Sequence, residues 1–326
     1  MELRKIQRTS SGTFFVCLPK DWAERSGLDR GAVIALSETS DGRLMIDAEY
    51  DAEPSPQTAV IKSTSHIERE IIEKYLLGYD AIQVEAKKRI SLNDRERVKQ
   101  TSSRLVGLEI IEENYSKIVM QCLLEPSAFP PERILRREYS IASGMHRDAV
   151  TALIEGDVHL AKNVVARDNE VDRLYFLLVR ILRTVIQNPR LSEKLGILPI
   201  DCLDYRLAAS LVESIADRSV QIAEKSVQLK AAKIAEELSQ LILKLHGVVY
   251  ETHENALRAM FSRDVSLAAS VSAEREKVAA LIQEVEKAVH DQPVDFAPHV
   301  LAVISSMRRI YDHSVDIADL VMPKPV

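Results

Sequence analysis

The alternation of apolar and polar positions changes character twice along the chain. At the start, short apolar runs are separated by turn signals. Thr13-Phe14-Phe15-Val16-Cys17-Leu18 reads as a strand, and Pro19 stops it because proline has no amide to give to a ladder. Lys20 to Ser26 reads as a short helix, with Gly27 at the left-handed position beyond its end. Val33-Ile34-Ala35-Leu36 and Arg43-Leu44-Met45-Ile46 read as two further strands. Ser40-Asp41-Gly42 joins them, and Asp-Gly is a strong hairpin signal.

Glu53-Pro54-Ser55-Pro56 reads as a linker, and a different rhythm follows. Thr58 to Lys62 is a predicted strand. Ile67, Ile71 and Tyr75 then fall at helical spacing behind a Ser65/Glu68 capping pattern, and Gly78 ends that helix. Asp80 to Glu85 alternates as a strand. A Ser91/Asp94 pattern opens a second helix that Gly107 ends, and Leu108–Ile111 and Lys117–Leu124 read as two more strands. Residues 55–130 are thus expected to form a small α/β domain closed by Phe129-Pro130-Pro131. Its spacings hold no catalytic pattern, so it is expected to act as a spacer or as part of a dimer contact.

Beyond residue 130 the pattern is helical and it repeats. Ala149–Ala161 and Ala256–Ala268 share six of thirteen residues at an offset of 107. Asp217–Glu224 and Asp312–Asp319 share five of eight at an offset of 95. The offset shrinks because the connection at 188–199 is longer than the one at 291–298. Each copy holds three predicted helices, over 134–156, 157–187 and 202–229 in the first and 237–263, 264–290 and 297–321 in the second. Asp157 and Asp264 stand at matching helix starts, where a carboxylate caps free amides.

Composition narrows the function classes. A chain of 326 residues suggests two or three domains, and 46% apolar residues suffice for more than one core. The net formal charge is -6, so the chain repels nucleic acid unless basic charge is gathered locally. It is gathered in the first twenty residues, where Arg4, Lys5, Arg8 and Lys20 stand against Glu2. A head spanning residues 1–50 cannot bury a sufficient core alone, which predicts pairing with the same segment of a second chain. Cys17, Cys122 and Cys202 show no metal or disulfide spacing, and neither a signal peptide nor a long apolar run is present; the expectation is a cytoplasmic protein.

Val16-Cys17-Leu18-Pro19-Lys20, Ser26-Gly27-Leu28, Gly31, Val33–Leu36 and Gly42-Arg43-Leu44 together resemble the AbrB/MazE/SpoVT swapped-hairpin domain. That resemblance implies a DNA-binding homodimer. Arg4, Lys5, Arg8 and Lys20 would contact phosphates or guanine, and Thr9, Ser10 and Thr13 would donate to phosphates. Ala23 and Glu24 depart from the adjacent arginines that some relatives carry in the short helix, and Arg25 follows them.

Residues 131–322 resemble PhoU, through Glu155-Gly156-Asp157, Asp168 to Asp172 and Glu213 to Glu224. The fold class expected is therefore multi-domain: a β-rich swapped-hairpin head, an α/β middle and an all-α duplicated three-helix bundle. A head of this type fused to PhoU looks like the phosphate-uptake regulators of archaea. The resemblance implies a multinuclear metal cluster on i,i+4 acids, here Asp168/Asp172 and Glu213/Asp217. Oxygen donors suit iron, manganese, magnesium or calcium, with zinc as a further candidate.

On the third helix Leu211, Ile215 and Ile222 form the apolar stripe, which puts Glu213 and Asp217 on the outward side. The second copy carries Arg275, Ala279 and Arg308 in place of three of the acids and keeps Asp312. The eight histidines look scattered, with His313 beside Asp312 the one near a candidate ligand. No nucleophile or phosphate-cradling loop is evident, so an enzyme is not expected. The reading is a homodimeric, phosphate-responsive transcription regulator whose partners are double-stranded DNA and a phosphate-transporter ATPase or related signalling protein. The alternative is a transporter inhibitor whose head only dimerises.

Overall fold

The computed structural model describes residues 3–38, 42–48, 56–229, 234–290 and 296–323. The chain divides into one unit up to Pro56 and a second from Gln57 onward.

In the first unit β1 (Gln7–Arg8) pairs antiparallel with β2 (Phe14–Phe15), α1 spans Lys20–Arg25, and β3 (Ala35–Glu38) pairs antiparallel with β4 (Leu44–Asp47). The six-residue strand expected from Thr13 shrinks to two residues, and β1 had no signal in the apolar pattern. Ser40 and Asp41 of the expected turn lie outside the described residues. Gly27 follows α1 at φ 64°, as the end of that helix requires. Among the described residues of this unit none is buried, and Phe14, Val33 and Leu44 are each more than 60% exposed. Such short ladders have no apolar layer of their own to fold over.

The second unit opens with an α/β layer. β5 (Thr58–Lys62) and β6 (Ala81–Glu85) are parallel, joined through α2 (Ile67–Leu76). α3 (Leu92–Ser103) precedes β7 (Leu108–Glu113) and β8 (Lys117–Cys122), which complete an antiparallel half in the order β5-β6-β8-β7. Alternate strand residues Ile61, Ile82, Val84, Ile118 and Met120 bury against Ile67, Ile71 and Tyr75 of α2 and Val98 of α3. Ser91 caps α3 by accepting from the Asp94 amide at 3.0 Å. The Ser65 pattern does not cap α2. The helix starts at Ile67, and Thr64 closes the preceding turn by accepting from the His66 amide at 3.2 Å.

The helical part follows: α4 (Pro131–Glu155), α5 (Val158–Gln187), α6 (Pro189–Leu195), α7 (Asp201–Gln228), α8 (Glu236–Ser262), α9 (Val265–Ala273), α10 (Arg275–Val289) and α11 (Ala297–Asp319). Asp157 accepts from the His159 and Leu160 amides, and Asp264 repeats this with Ser266 and Leu267. Two elements differ from the sequence reading. α6 occupies the long connection of the first copy, capped by Asn188. The second helix of the second copy is broken at Glu274. There the Tyr311 hydroxyl donates to the Val271 carbonyl at 3.3 Å and approaches that of Ser272 at 3.5 Å, competing for ladder acceptors at the break. One apolar core runs through both triplets.

The α/β layer is seated on α5. Phe176 packs against its core, and buried Arg180 donates to the carbonyls of Tyr75 (2.6 Å) and Gly78 (3.2 Å) at the end of α2.

Candidate functional site: an acidic seam and a basic arm

α5 and α7 pack side by side. One turn of helix separates Asp168 from Asp172 on α5 and Glu213 from Asp217 on α7, so each pair shares a face. The two faces meet. Burial, then Asp217, Asp172 and Asp168, push the Glu213 carboxyl up to about 7, while Arg206 acts in the opposite sense. Burial, Asp172 and Asp217 push Asp168 up to about 6, against Arg104. Asp217 is raised by burial and by Asp172. Of the two acids expected on an outward face of α7, Asp217 is exposed but Glu213 is not. Asp168, Asp172 and Glu213 are half-buried in a seam, and only Asp217 is exposed. The apolar stripe of α7 faces the core, and α5 closes over the flank where Glu213 sits.

The fold adds two residues to this seam. Arg104, after α3, reaches Asp172 at 3.0 Å. Glu138 on α4 is fully buried, both its oxygens lack a partner, and its carboxyl is raised by burial and then by Glu213. A signal for Glu138 was present in the sequence: it interrupts an apolar face of Leu135, Ala142 and Met145 at helical spacing. An orphaned buried carboxylate behind three half-buried acids and one exposed one is a donor set whose chemistry suits a hard cation. Among the described residues, however, no three His, Cys, Asp or Glu side chains are gathered in metal-holding geometry.

The residues expected to meet DNA lie on one exposed stretch of the first unit. Arg4 and Lys5 precede β1 and are exposed. Arg8 on β1 stacks over the Phe14 ring at 5.3 Å. Thr9 and Thr13 close the β1–β2 turn, the Thr13 amide donating to Thr9 Oγ1 at 3.1 Å, and Ser10 sits exposed at its tip. Lys20 opens α1 and pairs with Glu24 at 3.6 Å, both exposed.

The family model described as the PhoU domain matches residues 135–226 and 242–321, which together make up more than half of the chain. The chain belongs to the PhoU domain family. Among solved structures, PhoU from Pseudomonas aeruginosa is 20% identical at a TM-score of 0.54, covering 60% of this chain and 95% of that one. The phosphate transport system regulatory protein PhoU from Streptococcus pneumoniae is 18% identical at a TM-score of 0.50, covering 59% and 91%. These likenesses are of fold. No curated protein matches the chain.

Within the PhoU triplets the second copy lacks the seam. Arg275, Ala279 and Arg308 are exposed, and Asp312 lies 4.0 Å from Arg309. The histidines correct another expectation. His146, His246 and His253 are not scattered but converge between α4 and α8 with Tyr139 and Tyr250. The offset of 107 already related them, since it maps Tyr139 onto His246 and His146 onto His253. His313 on α11 is half-buried, and both its ring nitrogens lack a hydrogen-bond partner. Among the described residues no helix is long and apolar enough to cross a membrane.

Proposed function

We propose that this PhoU-family chain is a phosphate-responsive regulator of phosphate uptake, with its head acting on duplex DNA as a homodimer. The observation that carries this reading is the head itself. It has no buried residue among those described, and it exposes Phe14, Phe15, Val33, Leu36 and Leu44 beside a basic arm. A second copy of the head, in the swapped-hairpin manner its sequence resembles, would cover those apolar groups. It would also double Arg4, Lys5, Arg8 and Lys20 into one cationic surface, with Thr9, Ser10 and Thr13 as phosphate donors. On an acidic chain that is where a polyanion docks.

The helical triplets would receive the phosphate signal through a protein partner such as the transporter ATPase, shifting the population of head arrangements. Asp168, Asp172, Glu213 and Asp217 would hold a hard cation (iron, manganese or magnesium, with zinc the softer option). Such a cation would supply positive charge between α5 and α7, and these side chains would have to draw together to hold it.

A second reading has its own support. Lys20 is already paired with Glu24, and the chain's net charge is -6, which favours a head that only dimerises while the triplets inhibit a transporter. Light scattering and a salt-dependent mobility shift with promoter DNA separate the two. A dimer that binds at low salt and loses binding in Arg4→Ala/Arg8→Ala supports the regulator. A dimer with no DNA binding at low salt supports the inhibitor, and a monomeric head sinks both. Metal analysis of the purified chain, with Asp172→Asn as control, tests the seam.

A further inference from the structure

We propose that Tyr139, His253, His146 and His246 form a proton-linked latch between the two helical repeats, closed while the imidazoles are neutral and opened by proton uptake. The four groups form a chain. Tyr139 Oη lies 2.9 Å from His253 Nδ1, His253 Nε2 lies 3.1 Å from His146 Nδ1, and His146 Nε2 lies 3.4 Å from His246 Nδ1. Tyr139 and His146 belong to α4, and His246 and His253 to α8. These are the first helices of the two copies, and the residues occupy equivalent places seven apart on each. Every link therefore crosses from one copy to the other.

Proton counting explains why neutrality matters. A neutral imidazole carries one N–H and one lone pair. Three neutral rings and one phenol satisfy all three links when every hydrogen points the same way along the chain. Two charged rings cannot share a link, because both facing nitrogens would then carry hydrogen. His146 and His253 have no exposed surface, so even one charge there is unsolvated. Tyr250 of α8 packs on the His146, His246 and His253 rings. The charged groups acting on the chain are Arg147 of α4, which opposes protonation of His246, and Glu254 of α8, which faces the Tyr139 end. The depressed basicity of His253, to about 3, and of His246, to about 4, follows from burial first.

Once the latch opens, the rings regain water and an ordinary pKa of about 6.5. Lowering the pH from about 7.5 to about 5 then favours the open form about 30-fold per freed imidazole, and about a thousandfold for the two fully buried ones. α4 also carries Glu138, one residue from Tyr139, so displacement at the latch reaches the back of the acidic seam.

Hydrogen exchange on the full chain at those two pH values, corrected for intrinsic rates, tests the latch. Amides of α4 and α8 flanking the rings are expected to lose protection by at least about 30-fold at the lower pH, while those of the α/β layer keep theirs. Glutamine at all three histidines retains hydrogen bonding but cannot titrate, and should abolish that difference. If the triple variant does not fold, His246→Gln alone should reduce it by about the 30-fold share of one imidazole. Protection at α4 and α8 that ignores pH, or the same pH response in the glutamine variants, overturns the proposal. So does stoichiometric uptake of Co2+ or Zn2+ that the variants lose, since the rings would then be metal ligands.

Discussion

Arg180 fixes the α/β layer to the helices, and replacing it by methionine should loosen that joint first. Its side chain is 4% exposed. It donates to the Tyr75 carbonyl at 2.6 Å and the Gly78 carbonyl at 3.2 Å, and its guanidinium lies 4.9 Å from the Tyr75 ring centre. Those carbonyls end α2, where the helix dipole favours a cation. Methionine keeps most of the apolar stem and strands both acceptors. Each stranded carbonyl costs about 1–3 kcal/mol, and a desolvated cation–π contact about 1–2 kcal/mol. Against these stands the relief of a buried charge, worth several kcal/mol. The balance is a loss on the order of 2 kcal/mol, because the stranded partners are neutral carbonyls and no opposite charge is left behind. Urea unfolding should move to a lower midpoint and separate into two transitions, with α2 amides losing protection in the earlier one. Arg180→Lys keeps the charge but not the fork, and should recover about half the loss. An Arg180→Met midpoint indistinguishable from the parent, with a single transition, would refute this account of the joint.

Two further outcomes follow from the helical part. Arg263 ends α8 at φ 54°, the place that Gly156 fills at φ 68° in the first copy, so Arg263→Gly should raise thermal stability by up to about 1 kcal/mol after loss of the Asp201 pair at 3.3 Å; a destabilised glycine variant would show that the ion pair outweighs the strain. Burial raises Glu138 above its usual 4.5, so the stability present below that value is lost as pH rises through the raised one. Glu138→Gln should therefore unfold at a higher urea midpoint than the parent at about pH 8 and converge with it in acid, and parallel pH curves would contradict the burial argument.

Much of the second unit was legible because its periodicities are long and its punctuation is strong. Thr58–Lys62 stands as β5 without adjustment, since Ala59-Val60-Ile61 is a short apolar run between clear breaks, with Ala59 and Ile61 turned inward. The helix starts at Asp157 and Asp264 were legible because a carboxylate there has one physical use. The break at Glu274 was not, because the hydroxyl that meets the carbonyls there belongs to Tyr311, 37 residues further on and on another helix. Glu213 was misplaced for a related reason. A helical wheel separates the apolar stripe from the rest, but it cannot say which polar flank a neighbouring helix will cover. The histidines needed the repeat offset to be applied to polar positions as well as to identities, because Tyr139 and His246 correspond without being alike. In the first unit the apolar runs were visible but no core was available to lengthen them into full strands.

Asp168, Asp172, Phe176 and Arg180 follow one another at intervals of four along α5. They therefore form one ridge that turns only slowly around the helix. The first two face the acids of α7, and the last two hold the α/β layer. Arg104, from that same layer, returns to Asp172 at the middle of the ridge. A rigid helix thus carries the acidic seam and the seat of the α/β layer on one line. Any change that separates α5 from α7, such as repulsion among the acids as Asp168 and Glu213 lose their protons, bears on Arg104 and on the end of α2 without a further joint between them. The spacing of four in one helix, more than any single contact, is what ties the acids of the PhoU part to the α/β layer that precedes it.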